Sequence, residues 1–139
     1  MLSIHPLAVI LAALASFILG FLFHGPVSGK LWMKLADIHP TGDEKFSDMY
    51  GKLFWNIVAN LVTASVMALI FALVFSSPLM GEMTWYKGVI MGGWLWLGFL
   101  VTSSSIEVIW MGRKASLWLF EAVCSLIVMG VMGAILVIF

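Results

Sequence analysis

Four long, mostly apolar runs constrain the fold of this chain more than any motif does. They cover about residues 7–23, 53–76, 88–111 and 117–138, and each reaches the roughly 17 to 25 residues that a transmembrane helix needs. The hydrophobic fraction is 63% and the charged fraction 10%, whereas soluble domains are about 45–50% apolar and about 25% charged. The sequence therefore predicts an all-α integral membrane protein, a four-transmembrane-helix bundle that forms a single membrane domain over residues 1–139.

Most of the charge lies in the segment of residues 26–52, between the first two runs. Apolar residues recur there at helical spacing beside two lysines, which is typical of a short amphipathic interfacial helix. These residues are Leu31, Trp32, Leu35 and Ile38, beside Lys30 and Lys34. Farther on, Thr41 and Glu44 match a capping box, which predicts that the second long helix begins at Gly42 and continues to about Ser76.

The basic residues are divided unevenly between the two ends of the predicted spans. The first and third connections hold Lys30, Lys34, Lys45, Lys52, Arg113 and Lys114, whereas the second connection and the termini hold only Lys87. Cytoplasmic loops of membrane proteins are enriched in Lys and Arg. We therefore predict that the charged loops are cytoplasmic and that both termini lie outside.

Small residues recur every four positions on three of the predicted helices, as they do where two helix backbones approach closely in lipid. The predicted packing residues are Ala8, Ala12, Ser16 and Gly20 in the first span, Ala64 and Ala68 in the second, and Gly88 and Gly92 in the third. Trp94 and Trp96 lie deeper in the third span than the interfacial tryptophans. We expect both of them to pack between helices.

The third run carries Glu107 shortly before the basic pair Arg113 and Lys114. An ionisable residue inside a membrane is a candidate functional residue, and Glu121 lies at a similar predicted depth on the next span. In the predicted orientation, the polar residues of the spans gather in the cytoplasmic half. The candidate proton or cation site consists of Glu107, Glu121, Ser103, Ser104, Asn56, Asn60 and His24.

Three interpretations of the two glutamates are open. Either carboxylate is shallow enough to form an ion pair with Arg113, Lys114 or Lys52. The two carboxylates could instead share a proton or bind a cation, because neighbouring carboxylates rarely both ionise. Both could also face solvent. His24 could also be a metal ligand, and the sequence does not determine whether a metal is bound.

The sequence lacks the features of several other function classes. Its net charge is zero, so no broad basic field would attract nucleic acid. No cofactor is expected, because His5 and His24 lie at opposite membrane faces and cannot form a pair of axial haem ligands within one chain. We find no phosphate-binding loop and no nucleophile beside a base, and Cys124 has no second cysteine to pair with. We therefore predict that the protein is not an enzyme.

Short motifs along most of the chain resemble those of one bacterial family. They are Gly20-x-x-x-His24-Gly25-Pro26, Gly29-Lys30-x-Trp32-Met33, Trp96-Leu97-Gly98-Phe99-x-x-Thr102, Gly112-Arg113 and Met129-Gly130-x-Met132-Gly133-Ala134. In this order they resemble the membrane proteins of domain-of-unknown-function family 1761. The resemblance implies four spans and the bacterial inner (cytoplasmic) membrane, and it implies no activity.

Two functional hypotheses follow. The first is a non-enzymatic bundle subunit or partner-binding module. The alternative is a small proton- or cation-coupled transporter or channel that acts through Glu107 and Glu121. Because four helices are too few to enclose a wide aqueous pore, this alternative requires an oligomer. The expected partners are the lipid bilayer and either further copies of the chain, in a homo-oligomer, or a membrane partner subunit.

Overall fold

The computed structural model describes residues 4–43 and 45–139, without the side chain of Phe46. Within these residues the regular elements are all helical, and four of the helices are long and apolar enough to cross a membrane. This finding confirms the predicted all-α membrane architecture with a short helix between the first two spans. The helices are α1 (Pro6–His24), α2 (Gly29–Leu35), α3 (Met49–Phe75), α4 (Trp85–Trp110) and α5 (Ala115–Ile138).

The last helix, α5, is the centre of the arrangement. It packs along α4 on one side and along α1 on the other, and α1 in turn packs against α3. Contacts of α3 with α4 and with α5 are few. The short helix α2 rests on the ends of α1 and α5. A side chain on α5 can therefore face α1, α2 or α4, which gives this helix the main role in positioning the candidate site.

A compact apolar core joins α1, α3 and α5. Its buried members include Ala12 and Ala64, which are fully buried, and Met132, which is 1% exposed. Small side chains on α1 and α3 let the two backbones approach each other, and the longer Met67 and Phe71 fill the remaining space. The core lies far from the turn between α4 and α5. It fills the space between the helices in the part of the bundle opposite to that turn.

Glycines bring α4 and α5 into backbone contact. A Cβ on Gly88 would overlap the carbonyl oxygen of Gly133, and a Cβ on Gly92 would overlap that of Met129. A Cβ on Gly133 would likewise overlap the Gly88 carbonyl. These obstacles are backbone atoms and cannot rotate away, so the close crossing of the two helices depends on the absence of side chains at these positions.

Of the other predicted packing residues, Ala8, Ser16 and Ala68 are also buried. Gly20 behaves differently, because no atom lies within 4 Å of the position where its Cβ would be. The expectation that Gly20 joins two helices closely is therefore wrong. Gly20 lies on α1 beyond the tightly packed part of that helix, where it faces a cavity.

The middle of α4 widens into a π-helical segment at Trp96–Val101. A π-turn disturbs the ordinary pattern of backbone hydrogen bonds, and in lipid the freed carbonyls need other donors. The run of hydroxyls that follows supplies them. The donations are from Thr102 to Gly98, from Ser103 to Phe99 and Leu100, from Ser104 to Val101 and from Ser105 to Thr102.

The predicted start of the second long helix at Gly42 is wrong. Gly42 has a φ of 80°, which a right-handed helix does not accommodate, and α3 begins at Met49 after a 3-10 turn at Phe46–Asp48. Glu44, the second residue of the predicted capping box, lies outside the described residues. The polar residues before Met49 have little apolar surface to pack, and tertiary packing supplies most of the stability of helices in proteins.

Candidate functional site

Arg113 lies between the two glutamates that the sequence singled out. Its Nη1 is 2.5 Å from Glu107 Oε2, and its Nη2 is 2.5 Å from Glu121 Oε2. The arginine side chain is 27% exposed, compared with 46% for Glu107 and 31% for Glu121. One guanidinium therefore joins the end of α4 to the first turns of α5, and the two carboxylates are separated by a positive charge.

The turn between α4 and α5 directs Arg113 towards the carboxylates. The Glu107 carbonyl accepts hydrogen bonds from the backbone amides of Met111, at 3.1 Å, and Arg113, at 3.2 Å. Between them, Gly112 has a φ of 67°, a left-handed conformation that glycine adopts without steric cost. The chain thus reverses over the end of α4, and the Arg113 side chain comes to lie above the carboxylates.

Arg113 remains charged in this environment. Partial burial by itself lowers the pKa of the guanidinium, but attraction to Glu121 and Glu107 and the hydrogen bonds with both carboxylates outweigh it, so that the pKa is raised. An arginine with a raised pKa does not release its proton at any physiological pH. Its role at this turn is therefore that of a permanent positive charge.

A second ion pair ties the same turn to α2. Lys114 Nζ is 2.6 Å from Asp37 Oδ2, and Asp37, just beyond α2, has a φ of 54°. Both side chains are well exposed. The hydrogen bond from Lys114 and its positive charge lower the pKa of Asp37. Lys114 therefore forms an ion pair next to α2, whereas its neighbour Arg113 forms ion pairs with the two glutamates.

A cavity of about 500 Å³ lies between α1, α3 and α5, and we call it the α1/α3/α5 cavity. Both polar and aromatic side chains contribute to its wall. Its polar lining residues are Ser16, His24, Asn56, Asn60, Glu121 and Ser125. The structure thus brings together four of the seven predicted site residues around one space, and it adds two serines.

Hydrogen bonds organise the α1 and α3 side of this cavity. The Ser16 hydroxyl donates to Asn60 Oδ1, and Asn60 Nδ2 donates to the Asn56 side-chain oxygen, at 2.7 Å, and to the Asn56 carbonyl, at 2.8 Å. The bond from Ser16 to Asn60 is the interhelical one, and bonds of this kind hold spans together. Ser16 and Asn60 therefore join α1 to α3 and at the same time form part of the cavity wall.

His24 lies at the end of α1, where the cavity meets α2. Its Nδ1 is 2.9 Å from the Gly20 carbonyl. Its ring stands edge-on to Trp32, with the centroids 5.0 Å apart, and more loosely to Phe120, at 6.5 Å. The histidine is thus held by backbone and aromatic contacts. Within the described residues, no group of three or more His, Cys, Asp or Glu side chains could hold a metal ion.

Ser103 and Ser104 belong to a different space. A cavity of about 320 Å³ between α4 and α5, the α4/α5 cavity, is lined by both serines and also by Glu121. Ser103 donates to its own helix, whereas Ser104 also accepts a hydrogen bond from Trp118 Nε1 at 2.9 Å. The single cluster expected from the sequence is therefore divided, and Glu121 forms part of the wall of both cavities.

Trp96 and Ser125 connect α4 to α5 through hydrogen bonds that the sequence patterns did not predict. Trp96 Nε1 donates to the Ala122 carbonyl, at 2.9 Å, and to Ser125 Oγ, at 3.0 Å. The available signal was that a buried indole N–H needs an acceptor, and Ser125 is the hydroxyl at the right depth. Trp94, by contrast, is 65% exposed, so the expectation that it packs between helices is wrong. Trp94 and Trp96 point in different directions around α4.

These features define a four-span, all-helical integral membrane protein in which one arginine bridges two carboxylates and one of the two, Glu121, lines two cavities. The family model for a protein of unknown function, DUF1761, matches residues 7–137, and the chain belongs to this family. This match confirms the resemblance seen in the sequence motifs. Comparison with curated proteins and with solved structures gives no match.

Proposed function

We propose that this protein is a non-enzymatic binding module of the membrane, which holds a membrane partner or ligand in the α1/α3/α5 cavity. The observation that carries the proposal is the convergence of polar groups from three spans on one space of about 500 Å³. Ligand-binding pockets commonly have volumes of about 300 to 1,000 Å³ and combine an apolar wall with a few polar groups. The residues of this wall offer hydrogen-bonding groups and no nucleophile activated by a base.

The closed part of the bundle favours binding over conduction. Beyond the cavity, Ala12, Ala64 and Met132 are almost completely buried, and the glycines of α4 and α5 are in backbone contact. A ligand that enters from the turn side meets this packed region. In this conformation a single chain is therefore suited to holding a ligand at one side of the membrane.

We further propose that the protein lies in the bacterial inner membrane, with the turn between α4 and α5 in the cytoplasm. Support comes from the basic residues near that end, including Lys30, Lys52 and Arg113. At the other end, Lys87 donates to the carbonyls of Met80 and Glu82, each at 2.7 Å. The excess of positive charge at one end follows the positive-inside rule.

Native mass spectrometry from mild detergent tests the binding proposal. Gly20→Leu places a side chain at the cavity wall, where no atom lies within 4 Å of a Cβ, so the variant fills the cavity without a backbone clash. Gly93→Leu is the matched control, because Gly93 is equally unobstructed and does not line the cavity. We expect the wild type and Gly93→Leu to show a mass above that of the bare chain, which reports a bound ligand, and Gly20→Leu to lose this added mass. Equal added mass on all three proteins would contradict the proposal.

A proton- or cation-coupled transporter is the second candidate function. It is favoured by the position of Glu121, whose side chain lines both cavities, and it requires an oligomer or a second conformation that opens the packed region. Flux of protons or monovalent cations into proteoliposomes tests it. Glu107→Gln and Glu121→Gln should both abolish a carrier-type flux, whereas a flux unchanged in both variants would remove the glutamates from any transport role.

A further inference from the structure

The glutamate pair carries more negative charge than its arginine neutralises. With both carboxylates ionised, Glu107 and Glu121 contribute two negative charges and Arg113 contributes one positive charge. Lys114 is paired with Asp37, and no other ion pair reaches either glutamate in the part of the chain that the structure describes. Uncompensated charge is costly in a membrane, so the site is suited to one additional positive charge.

One carboxylate oxygen of Glu121 is free to accept a hydrogen bond from a cationic group. Its Oε2 is bound by Arg113, whereas Oε1 has no hydrogen-bond donor among the described residues. Ser125 lies one turn farther along α5, on the same face, and both residues line the α1/α3/α5 cavity. Asn56, on the opposite wall, contributes an amide oxygen that accepts one hydrogen bond from Asn60 and has a second lone pair. Glu121 Oε1 and the Asn56 amide oxygen are therefore the acceptors for a donor with several N–H groups, because the Ser125 hydroxyl already accepts from Trp96 Nε1 and donates to the Ala122 carbonyl.

The remaining wall of the cavity is aromatic and apolar. Phe17, Phe21 and Phe23 all line it, and aromatic rings attract cations as well as apolar groups. The cavity also extends along α5 from Glu121, about 9 Å from the start of the helix, to Val128, about 20 Å from it. A ligand that fills this space is therefore polar and cationic near Glu121 and apolar deeper in the membrane.

We infer that the α1/α3/α5 cavity binds a primary ammonium group attached to an apolar chain, with the ammonium on Glu121 and the chain along Phe17 and Val128. The inference rests on the proposed binding function and names its ligand class. The ammonium restores charge balance and donates to the free carboxylate oxygen, while the chain occupies the apolar end. A lipid with an amine headgroup and a soluble alkylamine share this chemistry.

The probes that test this inference are octylammonium, octanol and octanoate, which share one chain and differ in charge. Each is titrated into the purified protein in a neutral detergent, and the thermal unfolding midpoint is followed, because a ligand that binds the folded state raises it. We expect octylammonium to raise the midpoint at lower concentration than octanol and octanoate do. Equal effects of the three probes would overturn the inference, while bound mass that Gly20→Leu removes would still support the binding function.

Charge variants separate specific recognition from general binding of amphiphiles. Glu121→Gln should weaken octylammonium binding about tenfold, as expected when a charged hydrogen bond is replaced by a neutral one. Glu107→Gln should also weaken it, although Glu107 does not line this cavity, because Arg113 then neutralises Glu121 alone. Arg113→Gln should strengthen it. If the glutamates were only structural, the Glu→Gln variants and Arg113→Gln would not change octylammonium affinity in opposite directions. An octylammonium affinity that is unchanged in Glu121→Gln would overturn the inference.

Competition identifies the source of the ammonium. Phosphatidylethanolamine carries a primary ammonium headgroup, and phosphatidylglycerol does not. If the natural ligand is a lipid, the first should displace octylammonium and the second should not. If neither lipid displaces it, a soluble amine is the ligand. Both results agree with the ammonium site, whereas displacement by phosphatidylglycerol alone would contradict it.

Discussion

Arg113 is joined to Glu107 through both backbone and side chain. Its amide donates to the Glu107 carbonyl over 3.2 Å, and its guanidinium donates to the Glu107 carboxylate over 2.5 Å. The second guanidinium nitrogen reaches Glu121 over the same distance. One residue of the tight turn between α4 and α5 therefore holds two carboxylates together, of which Glu121 lines both cavities and Glu107 lines neither.

Arg113→Gln should destabilise the fold by about 1 to 2 kcal/mol, because two carboxylates then face each other without a cation. This value lies between the roughly 0 to 1 kcal/mol of an exposed ion pair and the 3 to 5 kcal/mol for breaking a buried one, since the three side chains are partly exposed. The free energy of unfolding in mixed micelles measures it. Lys114→Gln is the neighbouring control and should cost less, because the Lys114 ion pair is well exposed.

Gly92→Leu should destabilise the bundle by about 3 kcal/mol or more, at or beyond the upper end of ordinary overpacking. The Leu side chain would meet the Met129 backbone, which cannot move unless α4 and α5 separate. Gly93→Leu, one residue away, meets no atom within 4 Å and should change stability by less than about 0.5 kcal/mol. Similar unfolding midpoints for the two variants would show that the helix contact is not close.

Replacing Ala64 and Ala68 together by Leu should also loosen the fold. Ala64 is fully buried and Ala68 is 8% exposed, so the added side chains would force α3 away from α1. A double replacement of Leu69 and Leu73 by Ala is a useful comparison, because both leucines are exposed and lie outside the buried face of α3. Thermal stability in detergent should fall in the first variant and stay nearly constant in the second.

Lys45→Cys should not react with an impermeant thiol reagent added outside intact cells, because the orientation that we propose from the positive-inside rule has this loop in the cytoplasm. The experiment uses a Cys124→Ala background. Leu79→Cys, at the opposite end of the bundle, is the positive control, since Leu79 is 94% exposed. Strong labelling at position 45 and none at position 79 would reverse the proposed orientation.

Lys114→Met should raise the pKa of Asp37 towards its ordinary value of 3.8. In the wild type that pKa is lower in the folded state than in the unfolded chain. The contribution of the pair to stability is therefore fully present above the ordinary value and is lost as the pH falls through the lowered pKa. Carboxyl NMR titration of Asp37 in both proteins measures the change, and identical titration midpoints would show that Lys114 is not its partner.

The end of α2 shows how local patterns succeed and fail. The spacing of Leu31, Trp32 and Leu35 identified a short amphipathic helix, and α2 covers Gly29–Leu35. Ile38, the fourth residue of that pattern, lies beyond the end of α2. A similar local argument at Thr41 misplaced the start of α3, because a capping pattern specifies the geometry of a helix end only if a helix forms there. At that point Gly42 has a positive φ of 80°, which a right-handed helix does not accommodate.

The paired residues of α4 illustrate a second limit. Gly88 and Gly92 were recognised by their four-residue spacing, yet Gly20 has the same kind of spacing from Ser16, and a Cβ at Gly20 would meet no neighbouring helix within 4 Å. Spacing determines which residues share a helix face. It does not determine how far the contact with the neighbouring helix extends along that face, since that depends on the crossing of the two helices.

The sequence by itself determined the membrane class, the four spans and the family, because hydrophobicity and short motifs are properties of the chain that do not depend on its neighbours in space. Only the tertiary structure decided that Arg113 bridges Glu107 and Glu121, that Trp96 bonds to α5, and that one expected polar cluster is two cavities. The physical reason is that these relationships depend on how each helix is rotated and which helix it faces, and in lipid such choices are made by close packing rather than by hydrophobicity.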